Sequence, residues 1–266
     1  MTAENTIGAI SENAVPIEEP IADLEISALD LLEIFNRAIA LYDLVKISMD
    51  IEGWNIKVVD PSHVSMTEIK VSKAAFARYD VPQSMEFGID LEKIIPILKT
   101  AKKKVVSLKV DPYKGQLSYT IPDTGTGQIP ISNGDEIHNP KIPNLILTVS
   151  TVLKVDKVRG WVKYALANVA DFFRIVLSSD GNVTLSANND IEKAELKFPA
   201  EITFTGGNTE ESSYYSSEYV DKILRSMPKD LEDLKISTGT NYPIRMECSY
   251  KNVETVVMLA PRIENS

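Results

Sequence analysis

Apolar positions along this chain recur with two different periods, and the switches between them divide it into elements. "IADLEIS" (21–27) alternates, as a strand with one buried face does. In "ALDLLEIFNRAIALY" (28–42) the spacing changes to three and four through Leu31, Leu32, Phe35, Ala38, Ile39 and Tyr42. This predicts a helix with Ser27 as its N-cap. Two alternating runs flank Glu52-Gly53 in "LVKISMDIEGWNIKVVD" (44–60) and predict a hairpin. Further strands are expected at 64–71 and 84–90. "DLEKIIPILKTAKKK" (90–104) predicts a second helix with Leu91, Ile94, Ile95, Leu98 and Ala101 inward, and Pro96 should kink it or shorten its start. "VVSLKV", "GQLSYTIP" and "GQIPIS" then read as short strands. "NGDEIHNPKIPN" (133–144) has two prolines, a glycine and no period, which is linker composition.

After the linker the same order returns. "LILTVSTVL" (145–153) predicts a strand. "VDKVRGWVKYALANVADF" (155–172) predicts a helix with Val158, Trp161, Val162, Ala165 and Val169 inward. "FRIVLSSDGNVTLSA" (173–187) predicts a hairpin turning at Asp180-Gly181. "KAELKFPAEITFT" (193–205) supplies strands. "SSEYVDKILRSMPKD" (216–230) predicts a helix with Val220, Ile223, Leu224 and Met227 inward, and three strands close the chain. A repeat longer than about 100 residues is a duplicated domain rather than a solenoid unit. The expected class is α+β, with two helices per copy packed on antiparallel strands. The expected division is a flexible extension (1–19), a first domain (20–132), a linker (133–146), and a second domain with its tail (147–266).

Composition narrows the function classes. The chain has 266 residues and a formal net charge of −10, which argues against a general nucleic-acid coat. The positive charge is segregated, however. At ~100° per residue, three pairs fall four apart and off the apolar stripes: Lys99 with Lys103, Arg159 with Lys163, and Arg225 with Lys229. One such pair is ordinarily a solvated face; three in equivalent places suggest a surface offered to a polyanion. The first helix departs, with Asp30, Glu33 and a lone Arg37 outward. The single cysteine, Cys248, excludes internal disulfides and cysteine-based zinc clusters and fits an intracellular protein. No run of about 18 apolar residues occurs, so no membrane-spanning helix is expected.

"VVDPSHVSM" (58–66) places Asp60, Ser62 and His63 together, the residue types of a hydrolytic triad. Adjacent residues of a strand point to opposite faces, and no G-x-S-x-G elbow is present. Asp-Pro-Ser-His also fits a type I turn. A small hydrolase using Ser62 and His63 therefore stands only as a remote alternative. His138 lies in the linker, apart from other ligand types. No metal, cofactor or catalytic residue is expected.

The duplicated order, "EGWNIKVVDPSHVSM", "SSEYVDKILRSM" and "YPIRMECSY…VVMLAPRIE" resemble the sliding clamps of the proliferating-cell-nuclear-antigen (PCNA) type, most like archaeal ones, over about residues 20–264. The resemblance implies the clamp fold and a homotrimeric ring around duplex DNA, with helices lining the hole. Lys99, Lys103, Arg159, Lys163, Arg225 and Lys229 would face the DNA. It implies a groove for short peptides of DNA polymerase, clamp loader, nuclease and ligase, built from Val59, His63, Met66, Ile137, Ile142, Pro243, Met258, Ala260, Pro261 and Ile263. It implies subunit contacts between the strand carrying Ile129, Pro130 and Ile131 and the strand carrying Lys193, Glu195 and Lys197 of the next chain. A subunit of a heterotrimeric or checkpoint-type clamp is the alternative. The implied location is cytoplasmic and nucleoid-associated, or nuclear in a eukaryote.

Overall fold

The computed structural model describes residues 21–137, 140–168, 171–188 and 192–263. The extension at 1–19, His138 and Val169 lie outside them.

The first domain begins with β1 (Ala22–Ser27), α1 (Ala28–Ile39), and the hairpin β2 (Leu44–Asp50) and β3 (Gly53–Val59). It continues with β4 (Ser65–Ser72), the short β5 (Arg78–Asp80), β6 (Met85–Asp90) and α2 (Leu91–Ala101). Strands β7 (Val105–Asp111), β8 (Gln116–Ile121), β9 (Gly125–Pro130) and β10 (Ser132–Asn133) complete it. The second domain runs β11 (Val149–Lys154), α3 (Val155–Asn168), β12 (Phe172–Ser178), β13 (Asn182–Asn188) and β14 (Lys193–Pro199). Then follow β15 (Ile202–Phe204), β16 (Glu210–Ser216), α4 (Ser217–Ser226), β17 (Asp233–Thr238), β18 (Ile244–Tyr250) and β19 (Val253–Leu259). The duplication is therefore complete, strand for strand, from β1/β11 to β9/β19. The short β5, with no apolar run, and β16, with its polar EESSYYS sequence, are strands that periodicity missed.

Local chemistry sets the boundaries. Gly53 turns the first hairpin at φ 149°, and a Cβ there would lie 1.9 Å from the Val71 carbonyl oxygen, so only glycine fits. Ser27 precedes α1 but makes no side-chain cap; instead the Lys104 carbonyl accepts from Ala28 N–H at 3.0 Å. That helix ends at Ile39, short of the expected Tyr42, because Leu41 and Tyr42 N–H both return to the Ala38 carbonyl. Asp90 caps α2 by accepting from Glu92 N–H at 2.9 Å. The helix continues through Pro96, which sits on its exposed side, so the bond that proline cannot make is lost where water replaces it. Lys102 at φ 54° stops α2, and extended Met227 before Pro228 stops α4.

Two apolar cores result, one per domain, with aromatic clusters at Phe35–Trp54–Phe76 and Trp161–Phe173–Tyr215. The sheets do not respect the domain division. One sheet of ten strands runs β10-β6-β2-β3-β4-β19-β18-β17-β11-β15, joining the domains through antiparallel β4 and β19. There Ile69 faces Thr255, Glu68 faces Val256 and Met66 faces Met258. The remaining sheets are β5-β1-β7-β8-β9 and β14-β13-β12-β16, which leaves β9 and β14 as sheet edges.

Candidate partner groove and nucleic-acid face

The outer face of the ten-stranded sheet carries an apolar row where the domains meet. Val59, Met66 and Met258 are register partners on three adjacent strands. The linker crosses this row, and an open groove of about 320 Å³ lies between them. Val59, His63, Met66, Pro243, Met258 and Ala260, six of the residues that the resemblance implied for a groove, line it.

Four expected groove residues lie elsewhere. From the linker, Pro140, Lys141, Pro143 and Leu145 line the groove, and Ile142 does not. Ile137 packs on the first domain, where a Cβ on Gly88 would come within 2.0 Å of its Cδ1. Pro261 and Ile263 leave because the tail turns onto β16: Arg262 N–H donates to the Tyr214 carbonyl at 2.8 Å, and its guanidinium lies 3.6 Å from the Phe172 ring centre. The linker residues Pro140, Lys141, Pro143 and Leu145, which line the groove, were missed.

Asp60 builds the groove's rim. His63 N–H donates to the Asp60 carbonyl at 2.9 Å, closing the expected turn, and His63 follows in left-handed backbone at φ 56°. The buried Asp60 carboxylate accepts from the N–H groups of Ser62, Val64 and Ser65, and from the Tyr219 hydroxyl of α4 at 2.8 Å. Burial alone would raise the pKa of this carboxyl. The four donors outweigh it and hold the pKa below the ordinary value. Asp60 thus organises a loop and anchors it to the second domain; no imidazole contact joins it among the described residues.

The helix faces depart from the expected set of six cations. Lys99 and Lys163 are exposed on α2 and α3. Arg225 is exposed on α4 and paired with Asp221 at 2.8 Å. Lys103 and Lys229 are exposed but lie beyond the ends of α2 and α4, so neither forms a same-helix pair. Arg159 is half-buried and pairs with Asp156 at 3.5 Å. Its guanidinium donates to the carbonyls of Leu224, Met227, Pro228 and Lys229, capping the end of α4. Arg37, read as outward, is 2% exposed and donates to the Thr255 hydroxyl at 3.0 Å across the domain joint. Lys102 and Lys157 are also exposed, the latter over the Phe198 ring.

At the sheet edges, Lys193, Glu195 and Lys197 project outward from β14. Pro130 is exposed, while Ile129 and Ile131 are buried in the first domain's own core. The backbone edge there is that of β9, Gly125–Pro130.

Four helices backed by sheets in two matching halves define the DNA clamp fold. Residues 26–132 match the family model for the proliferating cell nuclear antigen N-terminal domain. The DNA polymerase sliding clamp of Thermoplasma acidophilum is 27% identical over 248 residues, 91% of this chain and 98% of that protein. That of Methanothrix thermoacetophila is 29% identical over 235 residues, 85% of this chain and 91% of its own. Among solved structures, A. fulgidus PCNA bound to the C-terminal region of FEN-1 superposes with a TM-score of 0.81 at 23% identity, covering 92% of this chain and all of that one. The PCNA2–PCNA3 complex of Sulfolobus tokodaii gives 0.76 at 20% identity, covering 91% of this chain and 100% of the matched one. The chain has the PCNA clamp fold, matches the PCNA N-terminal domain over residues 26–132, and is similar along most of its length to archaeal DNA polymerase sliding clamps.

Proposed function

We propose that this chain acts as a DNA polymerase sliding clamp: three copies close a ring around duplex DNA, and the groove beside the linker holds short peptides of replication and repair proteins. One observation carries the ring. Strands β4 and β19 pair inside the chain, and their counterparts β14 and β9 are open edges on opposite domains. Open edges of this kind call for a partner, and a second copy supplies the matching strand.

Lys99, Lys163 and Arg225, with Lys102, Lys103 and Lys229 near the helix ends, provide sequence-independent attraction to phosphate that permits sliding. The groove offers an apolar floor of Val59, Met66 and Met258 for side chains of DNA polymerase, clamp loader, nuclease or ligase peptides, and its occupants gain local concentration on DNA by tethering. The role is non-catalytic: binding and topology do the work.

Native mass spectrometry of the purified chain tests the assembly. A species of three chains is expected. A mass that stays at one chain at micromolar concentration would overturn the homotrimer and favour a heteromeric clamp.

A further inference from the structure

A pocket of about 200 Å³ lies where α1 and the short turn Lys73–Ala75 of the first domain meet the β18–β19 turn of the second. Contacts between the domains wall it. Lys251 pairs with Asp30 at 2.9 Å, and the Asn252 side-chain amide donates to the Ala74 carbonyl at 3.3 Å. Ser72 N–H donates to the Asn252 carbonyl at 3.0 Å. Arg37 lines the pocket from α1.

The charge of Arg37 is left without a counter-charge. A guanidinium carries five N–H donors and stays protonated. Arg37 is buried, its Nη1 donates to the neutral Thr255 hydroxyl, and its Nε has no partner among the described residues. The carboxylates nearby do not answer it. Asp30 serves Lys251. Glu33, one turn earlier on α1, lines the same pocket and is half-buried, but forms no ion pair with Arg37 among the described residues. The Cys248 thiol is no substitute, because burial pushes its pKa up and keeps it neutral. An uncompensated charge in a buried position is costly, so what this corner lacks is an anion.

The walls restrict which anion fits. The volume is below the roughly 300–1,000 Å³ of sites for drug-sized ligands, which suits a small oxyanion and not a nucleotide. A planar guanidinium binds oxyanions well, often two oxygens at a time. Glu33 repels a bare anion, yet it accepts a hydrogen bond from one that keeps a hydroxyl. We infer that this pocket binds a small oxyanion bearing a hydroxyl, of the phosphate or bicarbonate class, with unprotonated oxygens on Arg37 and the hydroxyl toward Glu33, and that the bound ion fastens the two domains at their joint. Fastening follows from the walls: Arg37 and Glu33 belong to the first domain, and Lys251 and Thr255 to the second. A ligand that binds only the assembled joint stabilises it by mass action.

Equilibrium dialysis of the full chain against labelled inorganic phosphate tests the site, with bicarbonate and sulfate as competitors at equal ionic strength and neutral pH. Saturable binding of one phosphate per chain is expected. Bicarbonate should compete, and the ion that displaces the other at lower concentration is the preferred member of the class. Sulfate has the size of phosphate but keeps no hydroxyl, and should compete at least about tenfold less well. Arg37→Met keeps an unbranched apolar stem and should weaken phosphate binding at least about tenfold. Glu33→Gln should erase the preference over sulfate, since its amide donates to a bare oxygen. Phosphate should also raise the melting temperature of the unaltered chain more than that of Arg37→Met. No saturable binding to the unaltered chain, or unchanged binding in Arg37→Met, would overturn the site. Should Arg37→Met not fold, Glu33→Gln decides: an unchanged ratio of phosphate to sulfate affinity would overturn the assignment. Equal rises in melting temperature would overturn the role at the joint.

Discussion

The Tyr219 hydroxyl donates to the Asp60 carboxylate at 2.8 Å, and this bond ties a helix of the second domain to the loop that rims the groove in the first. The same carboxylate collects three backbone N–H groups from that loop. Tyr219→Phe removes one charge-assisted hydrogen bond, for a loss of about 1–3 kcal/mol. Asp60→Asn disturbs all four and should cost more. In both, peptide binding at the groove should weaken while the trimer persists. Isothermal titration with a groove-binding peptide, beside native mass, checks this; unchanged peptide affinity in Asp60→Asn would contradict it.

Acid should uncouple the same bond. The Asp60 pKa is lowered in the folded protein, with hydrogen bonding outweighing the upward push of burial. Its contribution is therefore present above the unfolded-state pKa and is lost as pH falls through the folded-state value. The difference in melting temperature between the unaltered chain and Asp60→Asn should be largest near neutrality and shrink below about pH 4, the ordinary carboxylate range. Melting curves across pH check this, and a constant difference would contradict it.

Arg159 and Lys163 are expected to separate. Arg159→Ala strips the cap from the end of α4 and should destabilise the second domain by roughly 1 kcal/mol, since part-buried carbonyls lose their donors. Lys163→Glu should leave stability within about 0.5 kcal/mol, as exposed substitutions do, yet weaken DNA retention and flatten its salt dependence. Denaturant unfolding paired with DNA binding at several salt concentrations distinguishes the two. Equal effects on both readouts would contradict the assignment.

The linker gives a contrast: Leu145 lines the groove and Ile142 does not. Leu145→Ala should reduce peptide affinity about tenfold through lost apolar contact. Ile142→Ala should change it by less than about twofold. Fluorescence anisotropy with one labelled peptide measures both.

Much of this was legible in the chain. Duplication, all four helices and the hairpin turns at Gly53 and Gly181 follow from period and turn chemistry, which are local. The groove floor of Val59, Met66 and Met258 was legible only through resemblance. What the sequence concealed depends on contacts between distant segments. Arg37 and Arg159 look outward on a helical wheel, yet each finds carbonyl or hydroxyl oxygens on a neighbouring element. Lys103 and Lys229 look helical until Lys102 and Pro228 are seen to end the helices. Leu145 lines the groove and Ile142 does not, a difference set by how the linker crosses the distant β4–β19 joint. The partnership of Asp60 with Tyr219 spans 159 residues and has no local signature.

The central claim is topological, and cutting the DNA tests it most directly. The chain is loaded by a clamp loader onto nicked circular DNA, isolated with it, and the circle is then linearised. A ring that encircles without gripping should stay on the circle and run off the free ends once they exist. Retention on linear DNA with open ends would contradict encirclement and mark a protein held by direct contact.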